Sequence, residues 1–185
     1  RNQGLEHCIH TTRFDNLSLI PASPMLADIL QPLESKHKIY KLKDGLSLLT
    51  QEFDRVYIDT PPAFNFFTLS ALIAADRVIV PFDCDIFSKR ALQTLVQNIL
   101  ETRQDHNSDL LIEGIIVNQF DPRANLPKEV VQTLVNEGYP VYDTKLSPSI
   151  IMKQSHHQSL PLIYLDAKHK LTQQYAALYQ EIESR

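Results

Sequence analysis

The sequence predicts an α/β protein, a mostly parallel β-sheet flanked by helices on both faces. Three observations carry that expectation. Strand-like segments alternate with segments of helical periodicity along the chain. The runs "RVYID" (Arg55–Asp59), "RVIVPF" (Arg77–Phe82) and "LLIEGIIVNQF" (Leu110–Phe120) are apolar without period-two alternation, as in strands buried on both faces. Asp59, Asp83, Asn118 and Asp143 fall at or just beyond strand ends, where open α/β sheets bind ligands. Turn chemistry alone also places Asp and Asn there.

Taken in order, "NLSLIPA" (Asn16–Ala22) reads as a short strand closed by Pro21. Pro24–Leu33 reads as a helix, with Met25, Ile29 and Leu33 at i, i+4, i+8. "KHKIYKLKDGLSLL" places Ile39, Leu42 and Leu46 at helical spacing. Its lysines are most simply a solvated face, with a phosphate-binding patch as the alternative. After "RVYID", "NFFTLSALIAAD" reads as a buried helix and "RVIVPF" as the second apolar strand. Ser88–Thr102 follows as a helix striped by Leu92, Leu95, Val96, Ile99 and Leu100, ahead of the third strand. Pro127–Glu137 is helical, with Val130, Val131, Leu134 and Val135 inward and Gly138 as its stop. "PVYDTKL" reads as a short strand, and Lys168–Glu183 as a closing helix using Leu171, Tyr175, Leu178 and Ile182.

The 185 residues read as a single α/β domain, 43% apolar and 22% charged. A net charge of −4 gives no global signal for nucleic acid, so any such contact has to come from a local patch. Cys8 and Cys84, far apart and in no CxxC pattern, fit a reducing compartment rather than a disulfide framework or zinc site. No apolar run approaches the ~18 residues of a membrane span, and no signal-peptide layout opens the sequence, so a cytoplasmic protein is expected. Only four glycines occur, and none makes a Walker A loop or a GxGxxG motif.

"VYIDTPP" is the segment that points to chemistry. A carboxylate at the tip of an apolar strand can hold Mg²⁺ through water, as Walker B aspartates do. The prolines after it stiffen the loop and remove N–H donors. Asp59 standing alone fits an Asx-type turn equally well.

The longer block "FDRVYIDTPPAFNFFTLSALIAADRVIVPFDCD" resembles the switch II region of ParA-type partition ATPases, in the deviant-Walker-A group that includes MinD. That family reads as an apolar strand, D-x-P-P, a helix of small and apolar residues, "AD", and a strand ending in V-P. "NLSLIPAS", "GIIVNQFDPRANLPKEVVQTL" and "LSPSIIMKQSHHQSLPLIYLD" resemble the family's flanking segments, so the resemblance runs from about Asn16 onward. It implies a P-loop NTPase-like fold, with the chain forming the C-terminal portion of the ATPase domain.

The resemblance also implies roles. Asp59 matches the Walker B aspartate of the Mg²⁺ shell, and Thr60, Pro61 and Pro62 match the switch that senses the γ-phosphate. Asn118 and Pro148 match positions around the adenine, Asn118 being a turn residue on the other reading. "DPRANL" resembles a segment whose arginine binds DNA non-specifically, putting forward Arg123, otherwise a solvated loop arginine. Many relatives carry a further arginine past the Pro148 position; here Met152 stands in that place, so the contact is either lost or carried by Lys153. The adjacent His156 and His157 face apart and make a poor metal pair. Cys84 lacks a credible second cysteine for an iron–sulfur site, Cys8 being a poor candidate.

A Gly-rich P-loop with its lysine and a second aspartate belongs to the family and does not occur in this sequence. The expectation is an N-terminal βαβ portion outside it, of ~30 residues or more, and no ATP hydrolysis by the 185-residue chain alone. The intact protein is expected to use ATP and Mg²⁺ and to close as a homodimer. It would hold DNA non-specifically on the nucleoid and answer to a ParB-like or cargo-adaptor stimulator. A membrane-targeted relative would need a basic amphipathic C-terminal helix, and "LTQQYAALYQEIESR" is mildly acidic on its polar face. The alternatives are an ATP-dependent ligase of the cobyrinate diamide or dethiobiotin synthetase type, and a non-catalytic scaffold.

Overall fold

A computed structural model describes residues 4–26, 28–35, 38–49, 52–84 and 86–185. These fall into two compact units, one within 1–76 and 100–110, the other within 77–99 and 111–185.

In the first unit, β1 (His10–Thr11) and β2 (Ser18–Leu19) pair antiparallel, His10 opposite Leu19. The expected strand over Asn16–Ala22 is thus cut to two residues within a local hairpin. Asn16 turns the chain at φ 57°, and the Thr12 N–H and hydroxyl both donate to the Leu17 carbonyl. Closing so short a loop costs less entropy than reaching a distant strand. The helix expected over Pro24–Leu33 is also interrupted. A 3₁₀ turn, Pro24–Leu26, precedes α1 (Leu30–Ser35), with Pro32 in the first turn of α1, where its missing N–H costs least. Met25 and Ile29 remain exposed, so the expected apolar stripe is not a core face.

The segment 55–59 forms no strand. A parallel strand is held by ladder bonds to a neighbour, and no described strand pairs with it. Val56 and Tyr57 are accordingly 53% and 69% exposed. The helix after it forms as expected. In α3 (Phe66–Ala74), Asn65 caps the N-terminus by accepting from the Phe67 and Thr68 N–H groups at 3.0 and 3.2 Å. At its other end, buried Asn107 donates to the Leu72 and Ala75 carbonyls at 3.0 and 2.7 Å, supplying partners that a helix C-terminus otherwise lacks. α3 also packs on α2 (Lys41–Ser47), where Lys38, Lys41 and Lys43 are exposed and Ile39, Leu42 and Leu46 are half-buried. That arrangement fits the solvated-face reading of the lysine run. Lys36 of the run lies outside the described residues.

The second unit is organised around β3 (Arg77–Asp83) and β4 (Leu111–Asn118), which pair in parallel from Arg77 opposite Leu111 to Asp83 opposite Asn118. Between them runs α4 (Ile86–Asp105), on which Leu92 and Ile99 are buried, while Leu100, expected in the stripe, is 46% exposed. The "PVYDTKL" segment is a strand only at Val141, which bridges Ile115 in parallel. Leu146 then rejoins β4 by donating to the Val117 carbonyl, leaving Asp143–Lys145 bulged out of the ladder.

α5 (Asn125–Asn136) buries Leu134 fully, leaves Val135 half exposed, and ends in a Schellman motif. Gly138 sits at φ 84°, its N–H donating to the Val135 carbonyl and that of Tyr139 to Leu134. This is the stop expected of Gly138. Three helices complete the unit: α6 (Ile151–Gln158), α7 (Leu162–Leu165) and α8 (Lys170–Glu183). Their core gathers Tyr142, Leu146, Ile151, Leu162, Leu171 and Leu178. Tyr175, expected inward on α8, is 39% exposed.

Candidate functional site

Two places gather the residues singled out by sequence, one in each unit. In the first, Asp59, Thr60 and Pro61 form one wall of a cavity of about 320 Å³. Lys38, just ahead of α2, and Lys41, at its start, line it, as do Phe67 and Ser70 from α3. Asp59, Thr60, Pro61 and Pro62 are all exposed. The aspartate is not carried on a strand tip as expected; it is held in the segment that joins α2 to the capped start of α3. Thr68 steadies that segment by donating its hydroxyl to the Ala63 carbonyl at 2.8 Å.

An exposed carboxylate beside a hydroxyl is a hard-oxygen pair suited to Mg²⁺ that keeps most of its water. Among the described residues no group of three or more His, Cys, Asp or Glu could cage a metal. The residues present therefore fit an ion held mainly by water and phosphate. The two exposed lysines give the cavity a cationic side, which bears on the phosphate-patch alternative for the lysine run as well as on its solvated face.

In the second unit, Asn118 ends β4 and is half-buried. Gln119 follows at φ 52°, and the Phe120 N–H then donates to the Leu146 carbonyl at 2.9 Å. Leu146 is thereby bonded to residues on both sides of Asn118, bringing the 147–150 loop with exposed Pro148 to the end of β4. Asn118 and the loop bearing Pro148, some thirty residues apart in sequence, are thereby brought to one edge.

α8 holds the same edge through residues that the sequence reading did not single out. Glu181 accepts from the Asp143 and Thr144 N–H groups at 2.6 and 2.9 Å, satisfying donors that the bulge leaves unpaired. Arg185 pairs with Glu181 at 3.2 Å and stacks on the buried Tyr142 ring, 4.2 Å from its centroid. Gln174 holds Ser147. The available signal was spacing: Gln174 and Glu181 lie two helical turns apart and so share a face.

Burial pushes the Glu181 carboxyl upward, but the Thr144 and Asp143 N–H groups and Arg185 outweigh it, leaving the pKa below the ordinary value of 4.5. A folded-state pKa below the unfolded one stabilises the fold fully above the unfolded value and is lost as pH falls through the folded value. Below pH 4.5, thermal unfolding of the wild type should therefore drop more steeply than that of Glu181→Gln. Parallel acid profiles would contradict this.

Arg123 and Lys153 stand apart from these contacts. The Arg123 N–H donates to the Asp121 carboxylate at 2.9 Å in the turn before α5, and its side chain is exposed. Lys153 is exposed on α6 while Met152 packs against the core cluster, so the methionine is used for packing. His156 and His157 are exposed on α6, and Cys8 and Cys84 form no disulfide. Among the described residues, no helix is long and apolar enough to cross a membrane.

The parallel strands β3 and β4 with their flanking helices have the P-loop NTPase-like fold of ParA and MinD proteins. A family model described as an AAA domain matches residues 1–112. The chromosome partitioning protein ParA of Myxococcus xanthus is 31% identical over 188 residues, covering 100% of this chain and 66% of its own. Cyanothece McdA has a similar structure, at TM-score 0.83 and 19% identity over 95% of this chain and 71% of its own. The cobyrinic acid a,c-diamide synthase of Mycobacterium smegmatis, bound to an ATP analog and magnesium, has TM-score 0.66 and 29% identity over 78% of this chain and 58% of its own. The chain belongs to the ParA-type partition ATPases. It spans about two thirds of the length of the Myxococcus relative.

Proposed function

We propose that the intact protein is an ATP-dependent switch that partitions DNA or positions a cellular cargo. The observation that carries this reading is the cavity joining Asp59 and Thr60 to Lys38 and Lys41, in a chain whose whole length aligns with a partitioning ParA. Mg²⁺, when bound, neutralises charge on the phosphate oxygens. Asp59 would hold the ion through water and orient the attacking water. Thr60, Pro61 and Pro62 respond to the terminal phosphate, and Asn118 and Pro148 receive the adenine. Catalysis is then positioning and charge stabilisation.

ATP closes two protomers as a homodimer, and a ParB-like or cargo-adaptor partner stimulates hydrolysis, in the cytoplasm and on the nucleoid. Exposed Arg123 and Lys153 supply the DNA contact through phosphates, which needs no base readout. The test is binding of the intact protein to random-sequence DNA across a salt series with Mg²⁺ and ATP. Arg123→Ala with Lys153→Ala should flatten the plot of log affinity against log salt by about two, one for each lost phosphate contact. An unchanged slope overturns the DNA assignment.

The similarity to a diamide synthase at 29% identity favours a second reading, ATP-dependent ligation of a carboxylate substrate. ATP turnover that depends on such a carboxylate and is indifferent to DNA would select it.

A further inference from the structure

We propose that Gln174 of α8 is a positioning residue for nucleotide-base recognition, acting through Ser147. Its side-chain carbonyl accepts from the Ser147 N–H at 3.0 Å, and its side-chain amide donates to the Ser147 hydroxyl at 2.9 Å. One amide thus closes on both polar groups of a single loop residue. The contact is half-buried, where it competes less with water than a surface pair does.

The inference rests on the reading of Asn118 and Pro148 as the base site, and it says how that site is kept in shape. Pro148 follows Ser147 directly, with φ fixed by its ring. Leu146, just before, is fixed by the Val117 carbonyl and the Phe120 N–H. Between these anchors, Ser147 is the residue whose rotation decides where Pro148 points relative to Asn118. Neither bond of Ser147 goes to the sheet; both go to Gln174. Glu181, two turns further on, holds the bulge upstream by the Asp143 and Thr144 N–H groups. α8 thus grips the loop at two places, and the grip nearest Pro148 is Gln174.

Without that grip the loop samples several orientations, and apparent affinity for the base falls by the fraction of time the competent one is lost. Affinity for a ligand lacking the base does not change. Gln174→Leu removes both bonds at similar volume. Gln174→Glu keeps an acceptor for the Ser147 N–H and offers the hydroxyl a second acceptor, so it restores the grip.

The test measures binding of Mg·ATP and of Mg·tripolyphosphate to the intact protein by calorimetry. Gln174→Leu should weaken ATP about tenfold, as expected from the loss of two part-buried hydrogen bonds, and leave tripolyphosphate within twofold. Gln174→Glu should recover ATP affinity to within about threefold of the wild type, and exchange of the Ser147 amide hydrogen should accelerate only in the leucine variant. Equal loss of both ligands marks a general structural defect and overturns the inference. ATP affinity unchanged in Gln174→Leu, with Asn118→Ala still weakening ATP, overturns it while leaving the base site standing. If Asn118→Ala too leaves ATP affinity unchanged, the base-site reading falls and the inference with it.

Discussion

Asp59→Asn in the intact protein is expected to lower ATP turnover by about two to three orders of magnitude, the scale of losing one preorganised charged group. The reason lies in how little else the aspartate does. It is exposed, and among the described residues no hydrogen-bond partner or ion pair holds it. A buried structural carboxylate would have such partners, and its loss would unfold the protein. Here thermal unfolding should shift by no more than about 0.5 kcal/mol, as for ordinary surface substitutions. Steady-state phosphate release with Mg·ATP, beside a thermal scan, separates the two effects. Wild-type turnover in Asp59→Asn would remove the aspartate from the catalytic role. Measurable, Asp59-dependent turnover by the 185-residue chain alone would show that no further segment is needed.

The largest stability effect is expected at Gly114, inside β4. A Cβ placed there would lie against the Tyr142 ring, 2.6 Å from Cζ and 2.9 Å from Cδ2 and overlapping Cε2. The ring cannot withdraw: Tyr142 is 0% exposed, sits in the core with Leu146 and Leu171, and is covered by the Arg185 guanidinium. Nor can the backbone, since neighbouring Ile115 is bonded to Pro140 and Tyr142 on one side and paired with Val80 on the other. Gly114→Ala should therefore cost about 3 kcal/mol, at the upper end of ordinary overpacking. For a chain of this size that lowers Tm by roughly 6–12 °C. Gly138→Ala is a useful contrast, because no neighbour lies within 4 Å of its Cβ and its cost comes from φ 84° alone, about 1 kcal/mol. A Gly114→Ala variant as stable as the wild type would show that the tyrosine repacks.

Both predictions concern positions that the sequence treated unequally. Asp59 stood out through D-x-P-P and the block around it, whereas Gly114 had no signal, since its need arises from a tyrosine twenty-eight residues away. The same division runs through the fold. β3, β4, α3, α5 and α8 were legible because each is specified locally, by a continuous apolar run, a cap such as Asn65, or a stop such as Gly138. The Pro24–Leu33 helix and the strands at 16–22 and 55–59 were misread because periodicity reports which face is apolar, and a proline or a missing ladder partner decides whether the element forms.

By itself the sequence determined the α/β class and the family, and it singled out the residues proposed here for a nucleotide switch. These are carried by residue type and order. Tertiary structure alone decided that Lys38 and Lys41 share a cavity with Asp59, that Met152 packs into the core while Lys153 stays outside, and that α8 grips the loop bearing Pro148. Those facts are hydrogen bonds and contacts between elements far apart in the chain. No local pattern records them, because distance along a chain does not fix distance in space until the core has packed.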